Sequence, residues 1–229
     1  MKITLIHGQI HHGSTYHISS LLAKKLNGEI TEIFLPKDFK DICMGCGNCI
    51  SKDERLCPHY YNLKSITEAI DECDVLILDS PTYVYHLSSG MKILLEHYGY
   101  RWLLHRPSEK MFKKQVVCIS TARGGGQNKV CKDMADSASW WGASKIYRYG
   151  IALMTSGFEN VSQKKKDKID KDTSKLASKI LKKSWHVGTS LKVKIFMPVM
   201  KIVVKSQKDS VEYKYWKQKG WLDNNKPWI

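Results

Sequence analysis

Arginine is missing from residues 161–229, which carry 18 Lys against 6 acidic residues, a surplus of +12 in a chain of net charge +15. The first 160 residues are therefore nearly balanced. Recognition of phosphate in nucleic acids recruits the guanidinium fork, so no nucleic-acid partner is expected. A lysine-only excess reads as a solvated face, or as a surface for acidic lipid or an acidic redox partner. No run reaches the length of a membrane-crossing helix. The longest, residues 191–204, contains Lys192, Lys194, Lys201 and Pro198. Met1-Lys2 leads directly into a strand pattern, so no secretory signal is expected. Seven cysteines without such a signal point to the reducing cytoplasm, where clustered thiols serve metal or redox chemistry rather than disulfides. There is no internal repeat and no low-complexity linker. The 42% hydrophobic content of the 229 residues suffices for a proper core.

What is present is alternation. Lys2-Ile3-Thr4-Leu5-Ile6-His7 is a short, mostly apolar run of the kind found in buried parallel strands. Residues 16–26 follow with Ile18, Leu21, Leu22 and Leu26 at helical spacing. Residues 29–35 alternate as an outer strand would. Residues 63–73 read as a helix, 74–79 as a buried strand, 88–98 as a helix, 115–121 as a buried strand, 128–141 as a helix, 145–153 as a last strand and 161–184 as a lysine-rich amphipathic helix. Five strands alternating with helices predict a three-layer α/β domain with a parallel sheet and right-handed crossovers.

In such sheets the ligand lies beyond the strand C-termini, where the winding reverses. Three loops converge there. The first, Gly8-Gln9-Ile10-His11-His12-Gly13-Ser14-Thr15, is bracketed by glycines and opens a helix, the outline of an anion site. The second runs Ser80-Pro81-Thr82-Tyr83-Val84-Tyr85-His86. The third, Thr121-Ala122-Arg123-Gly124-Gly125-Gly126, brings Arg123, which either approaches a phosphate or lies at the surface. His11, His12 and His17 have no carboxylate in their loop and are expected to be solvated or to contact phosphate rather than to bind a metal. Cys73 and Cys118 read as packed thiols; Cys131 fits either role.

The most specific motif is Cys43-Met44-Gly45-Cys46-Gly47-Asn48-Cys49 followed by Cys57-Pro58, spaced C-x2-C-x2-C-x7-C. Three thiolates three residues apart can wrap three irons of a cubane cluster, with the fourth closing from further on. Gly45 and Gly47 let the backbone curl. Zinc, which prefers two separated ligand pairs, and a tight loop of cysteines without metal are the other readings.

Over about residues 1–160 the chain resembles the flavodoxin-like NADPH-dependent FMN reductase family, in particular its iron–sulfur flavoprotein branch. His7-Gly8 and Gly13-Ser14-Thr15 match the two ends of the family's phosphate loop, while Gln9-Ile10-His11-His12 replaces its Ser-Pro-Arg interior and the loop is one residue shorter. Ser80-Pro81-Thr82-Tyr83 matches a Ser-Pro-x-Tyr loop, and Thr121-Ala122-Arg123-Gly124-Gly125 a third. The resemblance implies a five-stranded parallel sheet of order 2-1-3-4-5. It implies an FMN site at Gly8, His11, Gly13, Ser14, Thr15, Ser80, Pro81, Thr82, Tyr83, Val84, Tyr85, Thr121, Ala122, Arg123, Gly124 and Gly125. Tyr83 and Tyr85 are candidates for stacking on the flavin ring. It further implies a 4Fe–4S cluster on Cys43, Cys46, Cys49 and Cys57, NAD(P)H as electron donor, and a homodimer or dimer of dimers. The activity expected is that of an FMN-dependent oxidoreductase, with no catalytic side chain because the flavin carries the chemistry. A non-enzymatic electron carrier, served by a nicotinamide or ferredoxin-like partner, is the alternative.

The expected organisation is a flavodoxin-like unit at 1–184, with the cysteine loop 41–58 inserted after strand 2, and a basic aromatic extension at 185–229. That extension holds Trp185, Phe196, Tyr213, Tyr215, Trp216, Trp221 and Trp228. So apolar a tail must cover its own domain or a second subunit, and Trp216 and Trp221 are expected to bury against a partner.

Overall fold

The computed structural model describes residues 1–184 and 187–229; Trp185 lies outside the described residues. Strands β1 (Lys2–His7), β2 (Glu29–Phe34), β3 (Val75–Asp79), β4 (Gln115–Ala122) and β5 (Lys145–Ala152) form one sheet in the order β2-β1-β3-β4-β5. Every pairing is parallel, as the resemblance implies. Leu76, Ile77, Leu78, Val116, Val117 and Ile119 are fully buried, because a central parallel strand is covered on both faces and must be apolar throughout. Strand β2 stands at the edge with only Ile33 buried, which explains its alternation.

Helices α1 (Ser14–Leu26), α2 (Asn48–Ser51), α3 (Tyr60–Glu72), α4 (Ser89–His97), α5 (Gln127–Trp140), α6 (Gln163–Ser184), α7 (Leu191–Ser206) and α8 (Val211–Gln218) complete the chain. Ile18, Leu22 and Leu26 of α1 pack with Ile169, Ala177 and Ile180 of α6 on one face of the sheet. Leu63, Ile66 and Ile70 of α3, Met91 and Leu94 of α4, and Val130, Met134 and Ala138 of α5 cover the other. Each large aliphatic side chain buried in this way contributes about 1.5–3 kcal/mol. The lysine-rich α6 thus buries one stripe and solvates the rest, with Lys25 of α1 reaching Asp170 at 2.6 Å across the pair.

The tail corrects one expectation. Trp216 and Trp221 are 0% exposed within the single chain and pack with Val193, Met197, Trp228, Leu104 and Phe112. Trp216 donates its indole N–H to the His105 carbonyl at 2.7 Å, and Tyr215 its hydroxyl to the Pro107 carbonyl at 2.7 Å. The extension therefore closes over the segment that leads into β4 rather than needing a partner to cover these rings. Helix α7 runs through Pro198, whose missing N–H leaves one carbonyl of the preceding turn without its helical bond. No helix among the described residues is long and apolar enough to cross a membrane.

Candidate functional site

The loops after β1, β3 and β4 meet at the C-terminal edge of the sheet around a cavity of about 390 Å³. Helix α1 opens onto it from Gly13, which caps the helix without a side chain, and no acidic residue occupies the first turn. The first helical bond runs from the His17 N–H to the Gly13 carbonyl at 3.1 Å. The amides of Ser14, Thr15 and Tyr16 thus stand at the start of the helix, where backbone donors lack intrahelical partners. A ring of free N–H groups at the positive end of a helix dipole, with no carboxylate among them, is built for an anion.

The loops are stitched to one another. Thr15 and Thr121 share a hydroxyl hydrogen bond of 2.6 Å, and Thr82 and Ser120 one of 3.0 Å. The Thr82 N–H donates to the Thr121 carbonyl at 2.8 Å. Of the expected residues, His11, Gly13, Ser14, Thr15, Pro81, Thr82, Tyr83, Thr121, Ala122 and Arg123 line the cavity.

The other six do not line it. An added Cβ on Gly8 would stand 2.5 Å from Ser88 Oγ, so this glycine serves the close passage of β1 beside the second loop. Ser80 is buried and accepts the Ser88 N–H at 2.9 Å, closing that loop at its base. Val84 and Tyr85 form the tip of a tight hairpin in which Tyr83 and His86 exchange backbone hydrogen bonds of 2.9 and 2.8 Å. Both tip residues have positive φ, 50° and 63°, and are exposed. For a β-branched valine this is a costly conformation, of the kind retained at functional loops. Tyr85 lies over the glycine loop: a Cβ on Gly125 would meet its hydroxyl at 3.4 Å, and one on Gly126 its ring at 3.0 Å. Gly124 lies at the exposed rim of the same loop.

The cavity is also lined by residues that the sequence reading passed over: His7, Gln9, Tyr16, Asp79, Leu153, Thr155 and Gly157. His7 is 1% exposed, and its Nδ1 lies 2.6 Å from Asp79 Oδ2 while its Nε2 lies 3.2 Å from Glu32 Oε1. Burial alone would lower the His7 pKa; the hydrogen bonds and charges of Asp79 and Glu32 outweigh it, and the net direction is upward. The ring stacks on Phe34 at 4.6 Å, and beyond Tyr16 the ring of His12 lies parallel to that tyrosine at 4.0 Å. A buried carboxylate beside an anion site would be repulsive; the hydrogen bond from the His7 ring offsets that charge on Asp79. His17 stacks instead on Phe158 at 4.9 Å.

The cysteine run forms a separate cluster. Cys43, Cys49 and Cys57 are half-buried, Cys46 is exposed, and all four are free thiols. Burial pushes the Cys49 thiol up, charge on Cys57, Cys43 and Cys46 acts in the same direction, and Arg106 opposes the shift. Gly45 and Gly47 have φ of +66° and +71°, the turn that wraps the run. The buried Arg106 donates to the Cys49 carbonyl and, at 2.7 Å, to Glu54. A set of soft donors under a buried cation suits a negatively charged iron–sulfur cluster.

Cys57 also has other neighbours: its sulfur and one ring nitrogen each of His59 and His97 lie within 4.8 Å of one another. His97 Nδ1 donates to the Ile93 carbonyl at 2.8 Å, which leaves Nε2 as the acceptor facing His59 Nδ1 at 2.9 Å. Neither histidine was among the expected site residues; His59 stands two residues after Cys57 in the chain, and His97 comes from the distant α4. Cys73, Cys118 and Cys131 are all buried, as packed thiols.

The model of the family described as NADPH-dependent FMN reductase matches residues 1–154. The chain belongs to the NADPH-dependent FMN reductase family. It is accordingly a flavin-dependent oxidoreductase. It is 25% identical over 202 residues to an iron-sulfur flavoprotein of Archaeoglobus fulgidus, covering 85% of this chain and 86% of that protein. Among solved structures it is similar to a flavone reductase, with a TM-score of 0.62, 12% identity, and coverage of 83% of this chain and 66% of the other. It is likewise similar to azoreductase AzrA, with a TM-score of 0.57, 11% identity, and coverage of 78% and 100%. At these identities the structures speak to the fold alone.

Proposed function

We propose that this chain is an NAD(P)H-dependent FMN oxidoreductase whose four-cysteine loop carries a 4Fe–4S cluster. The observation that carries the flavin site is the convergence of three strand-end loops on one cavity, with the uncapped start of α1 aimed into it. In this reading the amides of Ser14, Thr15 and Tyr16 and the hydroxyls of Ser14 and Thr15 hold the FMN phosphate, with Arg123 and His11 as nearby cationic or donor groups. Pro81, Thr82, Tyr83 and Ala122 flank the ring. When bound, FMN supplies the hydride and electron chemistry. The chain's own tasks are to bind the phosphate, orient the ring between the second and third loops, and leave one ring face open to the nicotinamide.

The cluster reading is supported by the neighbouring thiols of Cys43, Cys46, Cys49 and Cys57, by Arg106, and by the Archaeoglobus relative's description. A cluster there supplies single-electron transfer between flavin and acceptor. A second reading has its own support: the compact Cys57, His59 and His97 group suits a single transition-metal ion. The proposal includes a cytoplasmic setting and self-assembly into dimers or dimers of dimers, with the unit 1–184 carrying the chemistry.

Protein purified without oxygen should show flavin bands with a broad iron–sulfur shoulder and about four irons and four sulfides per chain. Zinc in place of iron, with no sulfide, would favour the second reading. Flavin without metal would leave a plain FMN reductase. If NAD(P)H is not oxidised with any soluble acceptor, the chain is an electron carrier instead.

A further inference from the structure

Helix α7 is apolar on two opposite sides. Val193, Met197 and Val204 point inward and are at most 1% exposed. Leu191, Ile195, Val199 and Ile202, spaced i, i+4, i+8 and i+11, form a second stripe on the far side and are 73%, 57%, 53% and 73% exposed. An apolar stripe on a helix is ordinarily buried against a neighbour; the outer one here is uncovered. The helix carries Lys192, Lys194, Lys201 and Lys205 and no acidic residue. Lys194, Lys201 and Lys205 run down one flank of the outer stripe. They face Lys226 across a groove of about 420 Å³ floored by Pro198, Ile202, Trp228 and Ile229. Partial burial, together with the charges of Lys205 and Lys226, holds the Lys201 ammonium below its ordinary pKa, with Asp223 the opposing charge.

We infer that the outer face of α7 and its lysine-rimmed groove dock on an anionic lipid bilayer. The outer residues match that surface in chemistry and order: a continuous apolar stripe to enter the acyl boundary, and ammonium groups beside it to meet lipid phosphates. The charge pattern decides against a second copy, and the exposed apolar stripe asks for an apolar layer beneath the anionic groups. A second copy set symmetrically on this face would bring lysine rows together with no acid on either α7 to pair with them. At 16 residues, α7 is about 24 Å long and carries four charges, so it lies along the surface rather than crossing it. The tail packs on Phe112 and Leu104, at the edge of the sheet where β4 begins, whereas the cavity lies where the strands end. A chain resting on α7 therefore keeps its cavity open to water.

The test is co-sedimentation of the full-length chain with phosphatidylcholine vesicles made with and without phosphatidylserine, at low and high salt. The chain should pellet with the mixed vesicles at low salt and remain in solution with phosphatidylcholine alone. Lys194→Gln/Lys205→Gln should weaken partitioning by about thirtyfold, from the contribution of each lysine near an anionic surface. Ile195→Asn/Ile202→Asn should abolish it. All four side chains point outward, so the melting temperatures should hold. Failure to pellet, equal binding to neutral vesicles, or unchanged binding by both variants would overturn the inference. So would a wild-type dimer in the ultracentrifuge that Ile195→Asn/Ile202→Asn converts to monomer, since a second copy would then cover the face. None of these readouts depends on bound flavin or metal.

Discussion

His7 and Asp79 are register partners on the adjacent strands β1 and β3, and their side chains join by a 2.6 Å hydrogen bond with both residues at most 2% exposed. The pair sits at the floor of the cavity, with Glu32 on the other ring nitrogen at 3.2 Å.

Its consequence is a pH dependence. The folded-state pKa of His7 is raised above the unfolded value, so the stabilisation is complete below about pH 6.5. It is lost as pH rises through the folded pKa. Urea unfolding at pH 6 and pH 9 should show the wild type less stable at the higher pH. Asp79→Asn should cost about 3 kcal/mol at pH 6, as breaking a buried pair does, and should flatten that dependence. A wild type equally stable at both values would remove the imidazolium from the site.

Gly13 separates folding from binding. Its φ of −79° is open to any residue, and an added Cβ meets only the His11 ring, at 2.9 Å. Gly13→Asp should cap α1 and raise apo stability by about 0.3 kcal/mol. The same carboxylate sits where the phosphate is held, and FMN affinity should fall by about tenfold or more. Calorimetry on apo protein and fluorescence titration with FMN measure the two effects. Tighter FMN binding in the variant would place the phosphate elsewhere.

The cysteine loop makes a third prediction. Cys46→Ser, at the exposed corner of the run, should drop iron well below the wild-type level while flavin content stays unchanged. His97→Ala should leave iron and sulfide intact if the four thiolates suffice, and should lose the bound metal if Cys57 works with His59 and His97.

The tail is core, and its two central indoles differ in one respect. Trp216 Nε1 donates to the His105 carbonyl, whereas Trp221 Nε1 is buried without a partner among the described residues. Trp216→Ala should cost about 3–5 kcal/mol without altering the oligomeric state at fixed concentration. Trp216→Phe should cost more than Trp221→Phe by about 1 kcal/mol, the worth of one hydrogen bond. Equal losses in denaturant would contradict the bonding.

The strands and helices were legible because their apolar periods are clean: β3 and β4 are buried at every position, and the apolar runs Val75–Leu78 and Val116–Ile119 at their centres say so. The three loops were legible from glycine and from their place after strands. What escaped notice has physical reasons. His7 and Asp79 close apolar runs and read as strand ends, since register between distant strands brings them together. Leu153, Thr155 and Gly157 belong to a fourth loop, after β5, that carries no motif. Val84 and Tyr85 follow directly on the matched Ser80–Tyr83 motif, but the hairpin turns them out of the cavity. The indoles of the tail were visible as apolar surface, yet composition does not say which surface covers them.

Anaerobic titration of the FMN-loaded chain with NADPH and NADH, followed by flavin absorbance, shows whether the cavity holds a flavin that nicotinamide reduces. Flavin bound at about one per chain and bleached by stoichiometric nicotinamide is the expected result. A chain that takes up no FMN, or whose bound flavin stays oxidised in excess of both nicotinamides, would contradict it.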